Sequence, residues 1–313
     1  MLFTDQHGVR GCFAKDPAVV RLEDVYYLYF SSLIAGENPG DKDRLTVGIA
    51  TSPDMERWEF VSFLPLEQDC ERKGIGAPGA YLENGTVHLF YQTYGNRQND
   101  AICHATSTDG IHFIKDPSNP IFHPSADWCC GRAIDADVVA YDGRLWLYFA
   151  TRDEDFKVQM QGCATSPLGS GYSRDTWTQA INAPVLLPEQ GWEGACIEAA
   201  ATLVHNQKIH LFYGGSYNCT PQQIGYAVSS DGVHFQKPMD RPFLPCGKAG
   251  DWNASESGHP YVFTDNDGRH YLFYQGSPDG GKTWILSRCE IGFRADVPYI
   301  IQYFNQPSTE EQK

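Results

Sequence analysis

Residues 133–150, AIDADVVAYDGRLWLYFA, place Asp135 and Asp137 inside a run that otherwise reads as buried β-strand, followed by an Asp142-Gly143 turn and an aromatic strand. A carboxylate buried without a partner is costly, so such a residue is paired, metal-bound or chemically active. The segment is not unique. Its Leu-Tyr-Phe triplet at Leu147 returns at Leu28 and, in the order Leu-Phe-Tyr, at Leu89, Leu211 and Leu272. Reading back from each gives KDPAVVRLEDVYYLYFSS from Lys15, GAPGAYLENGTVHLFYQT from Gly76, IEAAATLVHNQKIHLFYGG from Ile197 and GHPYVFTDNDGRHYLFYQG from Gly258. Each is a strand of small or β-branched residues, a polar turn and an aromatic-rich strand, the pattern of a β-hairpin.

The segments between hairpins repeat as well. VGIATSPDMERWEF, AICHATSTDGIHFI, MQGCATSPLGSGYSRDTWTQ and IGYAVSSDGVHFQK each supply a third strand, a polar turn and a fourth strand. In the fifth unit SPDGGKTW precedes the third strand, TWILSRCEIGF, and PYIIQYF supplies the last. Five units about sixty residues apart predict an all-β chain, a five-bladed β-propeller with four antiparallel strands per blade. The blades open near residues 16, 77, 135, 198 and 259 of one domain spanning 1–313. Two β-sandwiches are the alternative, but the period runs unbroken through the middle of the chain, where a sandwich boundary would interrupt it.

Aromatic residues make up 13% of the chain and charged residues only 20%, which suits a β-rich fold with a ring-contacting surface. The net charge of -15 argues against a nucleic-acid partner, because phosphate binding is driven by Lys and Arg. No apolar run approaches transmembrane length and MLFTDQHGVRGCFAKDP lacks a signal-peptide core, so a cytoplasmic protein without a membrane partner is expected. The ten cysteines form no CxxC pair, which argues against a zinc cluster; Cys129-Cys130 reads as two reduced thiols.

In a propeller the innermost strand of every blade faces the central channel. Twelve residues before the triplet leucines stand Asp16, Ala77 and Asp135; thirteen before stand Glu198 and His259, in repeats read as having a turn one residue longer. Three carboxylates and a histidine from separate blades therefore share one rim. Ala77 shows that the framework itself needs no charge there. Taken singly, Asp16 before Pro17 is a turn former and His259 before Pro260 a structural hydrogen-bonder. Asp137, two residues beyond Asp135 on the same strand face, competes for its role. The shared register raises Asp16, Asp135 and Glu198 to a functional triad. Asp109-Gly110 and Asp231-Gly232 are turn chemistry. Trp128, Arg132, Trp192 and Glu193, in loops ahead of the third and fourth inner strands, join His259 as candidate sugar contacts.

These repeats resemble the five-bladed propeller glycosidases of glycoside hydrolase family 43. There an Asp-Pro pair opens the first blade, an Ile-Asp pair the third and a Glu the fourth. The matching residues are Asp16 in KDPAVV, Asp135 in AIDADVV and Glu198 in CIEAAATL, and the resemblance runs from about Lys15 to Phe293. It departs where the family often has Gly-Pro after its Glu, since Ala199-Ala200 stand here, and where it has a Trp, since Gly76 stands here. The resemblance implies an inverting glycosidase with Glu198 as general acid and Asp16 as general base. Asp135 would orient Glu198 and raise its pKa. It further implies exo-cleavage of arabinofuranosyl or xylosyl linkages in short oligosaccharides, with no required cofactor. A calcium or sodium ion on the propeller axis, held with the help of His259, is a further implication. Two other readings stand beside this one. The related fructosidase family 32 uses two aspartates and a glutamate in a retaining hydrolase or transglycosylase, but its NDPNG opening is missing, as Ala18-Val19 follow Asp16-Pro17. A non-catalytic propeller that binds sugar or protein has the same fold. The expected partner is a small oligosaccharide or glycoside; oligomeric state is not legible.

Overall fold

The computed structural model describes residues 1–304, and the last nine residues of the expected domain lie outside the described residues. The first blade comprises β1 (Lys15–Leu22), β2 (Val25–Ile34), β3 (Arg44–Ser52) and β4 (Glu59–Phe63). The second comprises β5 (Ile75–Glu83), β6 (Thr86–Thr93), β7 (Ile102–Ser107) and β8 (Ile114–Lys115). The third has β9 (Ile134–Tyr141), β10 (Arg144–Arg152), β11 (Gln159–Pro167) and β12 (Thr178–Gln179). The fourth has β13 (Ile197–His205), β14 (Lys208–Gly215) and β15 (Gln223–Ser229). The fifth has β16 (Glu256–Thr264), β17 (His270–Ser277), β18 (Ile285–Arg294) and β19 (Val297–Tyr303). All neighbouring strands within a blade pair antiparallel in chain order. The fourth blade departs from the expected four strands. Its outermost one is reduced to a bridge between Val228 and Gln236.

The inner strands β1, β5, β9, β13 and β16 contact one another in sequence, and β16 returns to β1, closing the ring of a five-bladed β-propeller. Tight turns at Asn84-Gly85, Asp142-Gly143 and Asn206-Gln207 have positive φ at both residues, as two-residue hairpins require. The triplets build the core: Leu28, Tyr29 and Phe30 are fully buried, as are Leu147, Tyr148 and Phe149. Phe30 and Phe149 lie opposite Gly48 and Gly162, where an added Cβ would sit 2.4 Å from the ring. Glycine is therefore what lets the aromatic layer close down on the third strand. The Tyr29 and Tyr148 hydroxyls donate to the carbonyls of Gly110 and Gly232 at 2.9 Å, each tying its blade to the Ser-x-Asp-Gly turn of the next. In those turns Asp109 and Asp231 accept backbone N–H groups, as turn formers do.

Every inner strand carries a bulge at the same place, and it corrects the sequence register. The bulge residues have positive φ: Asp16 (52°), Ala77 (43°), Asp135 (54°), Ala199 (54°) and His259 (44°). Each lies three residues before the partner of its triplet leucine, namely Val19, Ala80, Val138, Thr202 and Val262. Only the fifth hairpin has a longer turn. In the fourth blade the equivalent of Asp16 is thus Ala199, and Glu198 stands one residue earlier, where the first blade has Lys15.

Candidate functional site

A pocket of about 840 Å³ opens at one end of the channel and draws residues from all five blades. Asp16, Asp135, Glu198 and His259 line it together. The backbone of Asp16, Asp135 and His259 is held by side chains from the preceding blade. The N–H of Asp16 donates to Gln275 Oε1 at 3.0 Å, that of Asp135 to Gln92 Oε1 at 2.7 Å and that of His259 to Gln222 Oε1 at 3.1 Å. Ala77 is held likewise by the Ser31 hydroxyl at 2.8 Å. Left-handed backbone at non-glycine residues costs about 1–3 kcal/mol each, and these inter-blade bonds stabilise it where it aims side chains at the axis.

At the centre, His259 Nε2 lies 3.3 Å from Asp16 Oδ1 and 3.3 Å from Asp135 Oδ1. Burial alone would lower the imidazole pKa, but Asp16 and Asp135 outweigh it and push it up to about 9. His259 is then a cation at neutral pH. Burial likewise acts to raise Asp16, yet His259 and Lys15 hold that carboxyl below its usual range. Asp135 lines the pocket, and its Oδ2 is buried with no hydrogen-bond partner among the described residues.

Glu198 is treated differently. Its carboxylate takes Nε2 of Gln222 at 2.6 Å on one oxygen and Nε2 of Gln159 on the other. Burial first, and the charge of Asp135 second, push its pKa up to about 7, against the pull of His259, Gln222 and Lys15. Gln159 in turn accepts from Arg152 Nε at 2.8 Å. The site therefore holds a carboxyl that is half protonated near neutrality beside two carboxylates bound to an internal cation. That division suits proton donation to a departing oxygen with activation of an incoming nucleophile.

The rim candidates divide. Arg132 lines the pocket, with Nε 3.6 Å from Asp100 Oδ2 and no hydrogen bond among the described residues. Trp128 does not line it. Trp192 lies instead over Gly215, stacked on Tyr213 at 6.1 Å between ring centres and bonded to Gln190. Glu193 is fully buried in a clamp: it takes Lys237 Nζ at 2.9 Å, the Tyr213 hydroxyl and the N–H groups of Glu189 and Gln190. The second blade repeats that clamp with Glu71, Lys115 and Tyr91, so both are blade architecture. Asp137 is also structural. Its carboxylate accepts from the Thr202 N–H at 2.8 Å and from the Thr202 hydroxyl, joining β9 to β13.

His259 Nε2 is paired with Asp16 and Asp135, and among the described residues no group of three His, Cys, Asp or Glu side chains is arranged to hold a metal. Lys15, Gln159, Gln222 and Arg152 are pocket or bracing residues that sequence reasoning does not single out. Gln92 and Gln275 are visible as a recurring Gln three residues beyond the triplet leucine; Gln159 and Gln222 take over where that position is Ala150 or Gly214.

The family model for glycosyl hydrolases family 43 matches residues 8–291. The chain belongs to glycosyl hydrolase family 43. Among solved structures it is similar to a thermostable family-43 glycoside hydrolase, with TM-score 0.73, 22% identity and 94% of each chain covered. It is also similar to an endo-1,4-β-xylanase of Bacteroides thetaiotaomicron VPI-5482, with TM-score 0.68, 21% identity and coverage of 94% of this chain and 96% of that one. A β-1,2-mannobiose phosphorylase of Thermoanaerobacter sp. (strain X514) is 33% identical over 125 residues, which cover 34% of this chain and only 39% of that protein. All ten cysteines of this family member are unpaired, and among the described residues no helix is long and apolar enough to cross a membrane.

Proposed function

We propose that the chain is an inverting, exo-acting hydrolase that removes arabinofuranosyl or xylosyl units from short oligosaccharides. The observation that carries this reading is the contrast between Glu198, braced by two glutamines, and the Asp16–His259–Asp135 ion cluster beside it. Glu198 protonates the glycosidic oxygen as the bond breaks. Asp16 takes the proton of a water that attacks the anomeric carbon from the opposite face. Asp135 turns its free oxygen toward the sugar and keeps Glu198 protonated by its charge. A pocket walled by five blades suits a chain end better than a chain middle. Phosphorolysis, named for the mannobiose relative, brings an anionic nucleophile that needs no base. An aspartate held ionised at the axis is what water needs, which favours hydrolysis. A panel of nitrophenyl pentofuranosides and pentopyranosides, with Glu198→Gln as control and the first-formed anomer read by NMR, tests the reading. Chromophore release with inverted configuration is expected, lowered only in part by Glu198→Gln because nitrophenolate leaves with little help from an acid; a retained anomer, or no release from any member of the panel, would overturn it.

A further inference from the structure

The cations of this pocket are unlike those elsewhere in the chain. Four buried or half-buried cations outside it are matched to carboxylates at short range: Lys115 to Glu71 at 2.9 Å, Lys237 to Glu193 at 2.9 Å, Arg21 to Asp265 at 2.9 Å and Arg288 to Glu56 at 2.5 Å. Inside the pocket, among the described residues, Lys15 has neither a hydrogen bond nor an ion pair, only the Trp284 ring 4.5 Å from its Nζ. Arg152 bonds Gln159 and, at 3.4 Å, the Phe156 carbonyl, but no carboxylate. Arg132 has Asp100 no nearer than 3.6 Å. The catalytic carboxylates and the buried Glu256 act on the Lys15 ammonium from a distance, none of them within ion-pair range, and His259 already stands between Asp16 and Asp135. In a chain of net charge -15, six cationic side chains (His259 included) line this pocket against five acidic ones.

Their placement gives the excess a direction. Arg152 and Glu198 are bonded to the same Gln159, so the guanidinium lies beside the acid, on the side from which the leaving group departs. Its Cζ is 5.3 Å from the Tyr217 ring, and the next residue, Asn218, meets Gln275 at 3.3 Å. Gln275 holds the Asp16 backbone, and Lys15 precedes Asp16 at the strand position that Glu198 occupies in the fourth blade. Lys15, Asn218, Tyr217 and Arg152 thus form one arc around the acid.

We propose that this arc binds an anionic group, a carboxylate or a phosphate, and that in the substrate the group belongs to an acidic sugar to which the cleaved unit is attached. The inference rests on the hydrolase reading for the role of Glu198, and its test reads binding alone, so the two fail separately. Full-length protein is titrated calorimetrically with methyl glucuronide and methyl galacturonide, with their carboxyl-reduced counterparts, and with inorganic phosphate. Charge-assisted hydrogen bonds predict that an acidic sugar binds at least about ten-fold more tightly than its neutral twin, less so as salt rises. The preference should collapse toward one in Lys15→Met and in Arg152→Gln, two substitutions on different blades, each checked for an intact thermal transition. Phosphate that binds and competes with the uronide, with the same loss in both variants, supports the shared anion site. Phosphate that binds with this variant dependence, but without any uronide preference, assigns the site to free phosphate. Equal affinity for acidic and neutral sugars with no phosphate binding, or a preference that survives both substitutions, overturns the proposal.

Discussion

Replacing Asp135 by Asn removes a charge while keeping shape, and so isolates what that charge does to Glu198. The Glu198 pKa stands at about 7 against an ordinary 4.5, which makes the ionised form roughly 3 kcal/mol harder to reach at about 1.4 kcal/mol per pH unit. Burial is the larger cause and survives the substitution; the Asp135 charge is the second and does not. Part of the rise should therefore be lost, about one pH unit for a neighbouring charge. The assay is kcat/KM from pH 5 to 9 on a glycoside with a poor leaving group, whose alkaline limb reports the acid in the free enzyme. Wild type should fall away above pH 7 and the variant above about pH 6. A loss common to all pH values from the missing sugar contact would add to this, but it moves no limb. An unmoved limb would show that Asp135 does not tune Glu198, and an upward shift would reverse the sign of the argument.

Three further outcomes are expected. His259 is raised from 6.5 to about 9, so the stability it contributes is complete below pH 6.5 and lost as pH rises through 9. The melting-temperature deficit of His259→Gln should accordingly be large at pH 6 and narrow by pH 10; a deficit independent of pH would contradict the ion cluster. Glu198→Ala should retain activity on activated nitrophenyl glycosides while losing about 10²–10⁴-fold on natural oligosaccharides, whereas Asp16→Ala loses on both. Equal losses for Glu198→Ala across leaving groups would place the acid elsewhere. Glu193→Gln should remove the nearer carboxylate of Lys237, leaving it Glu189 at 3.5 Å and the Leu187 carbonyl, at a cost of up to about 3 kcal/mol in chemical denaturation, with kcat/KM at 25 °C within about two-fold of wild type. A selective loss of activity in a stably folded Glu193→Gln protein would return that residue to the site.

The hairpin period exposes the propeller because each blade must supply the same buried aromatic layer, and Tyr29, Phe90, Tyr148, Phe212 and Phe273 answer the same packing need. Asp16, Asp135 and His259 are legible for a related reason: the framework tolerates Ala77 at their position, so charge there has another use. The rim residues are not legible. Proximity in sequence to an inner strand does not say whether a loop side chain turns to the channel or back into the blade. Trp192 and Glu193 turn back because a buried Lys237 and the Tyr213 ring are waiting for them. Lys15 escapes notice because a lysine before an Asp-Pro pair looks like surface. Only the bulge shows that it shares a position with Glu198.

That displaced glutamate is the most informative departure from the sequence register, because the proposed chemistry depends on the displacement. In an unbroken strand successive side chains alternate between faces, so one inner strand would offer the pocket a single residue at this level. A bulge sets two residues against one on the partner and suspends the alternation. Lys15 and Asp16 both line the pocket as a result, as do Ile134 and Asp135. The fourth blade uses the same device to keep its bulge position small, at Ala199, and to present its carboxyl from the residue before. A carboxylate at Ala199 itself would join the ring of bulge residues that holds Asp16, Asp135 and His259, where the imidazolium favours the ionised form. One step back along β13, Glu198 meets the amides of Gln159 and Gln222 instead, feels Asp135 as a neighbouring charge and remains available as a proton donor near pH 7.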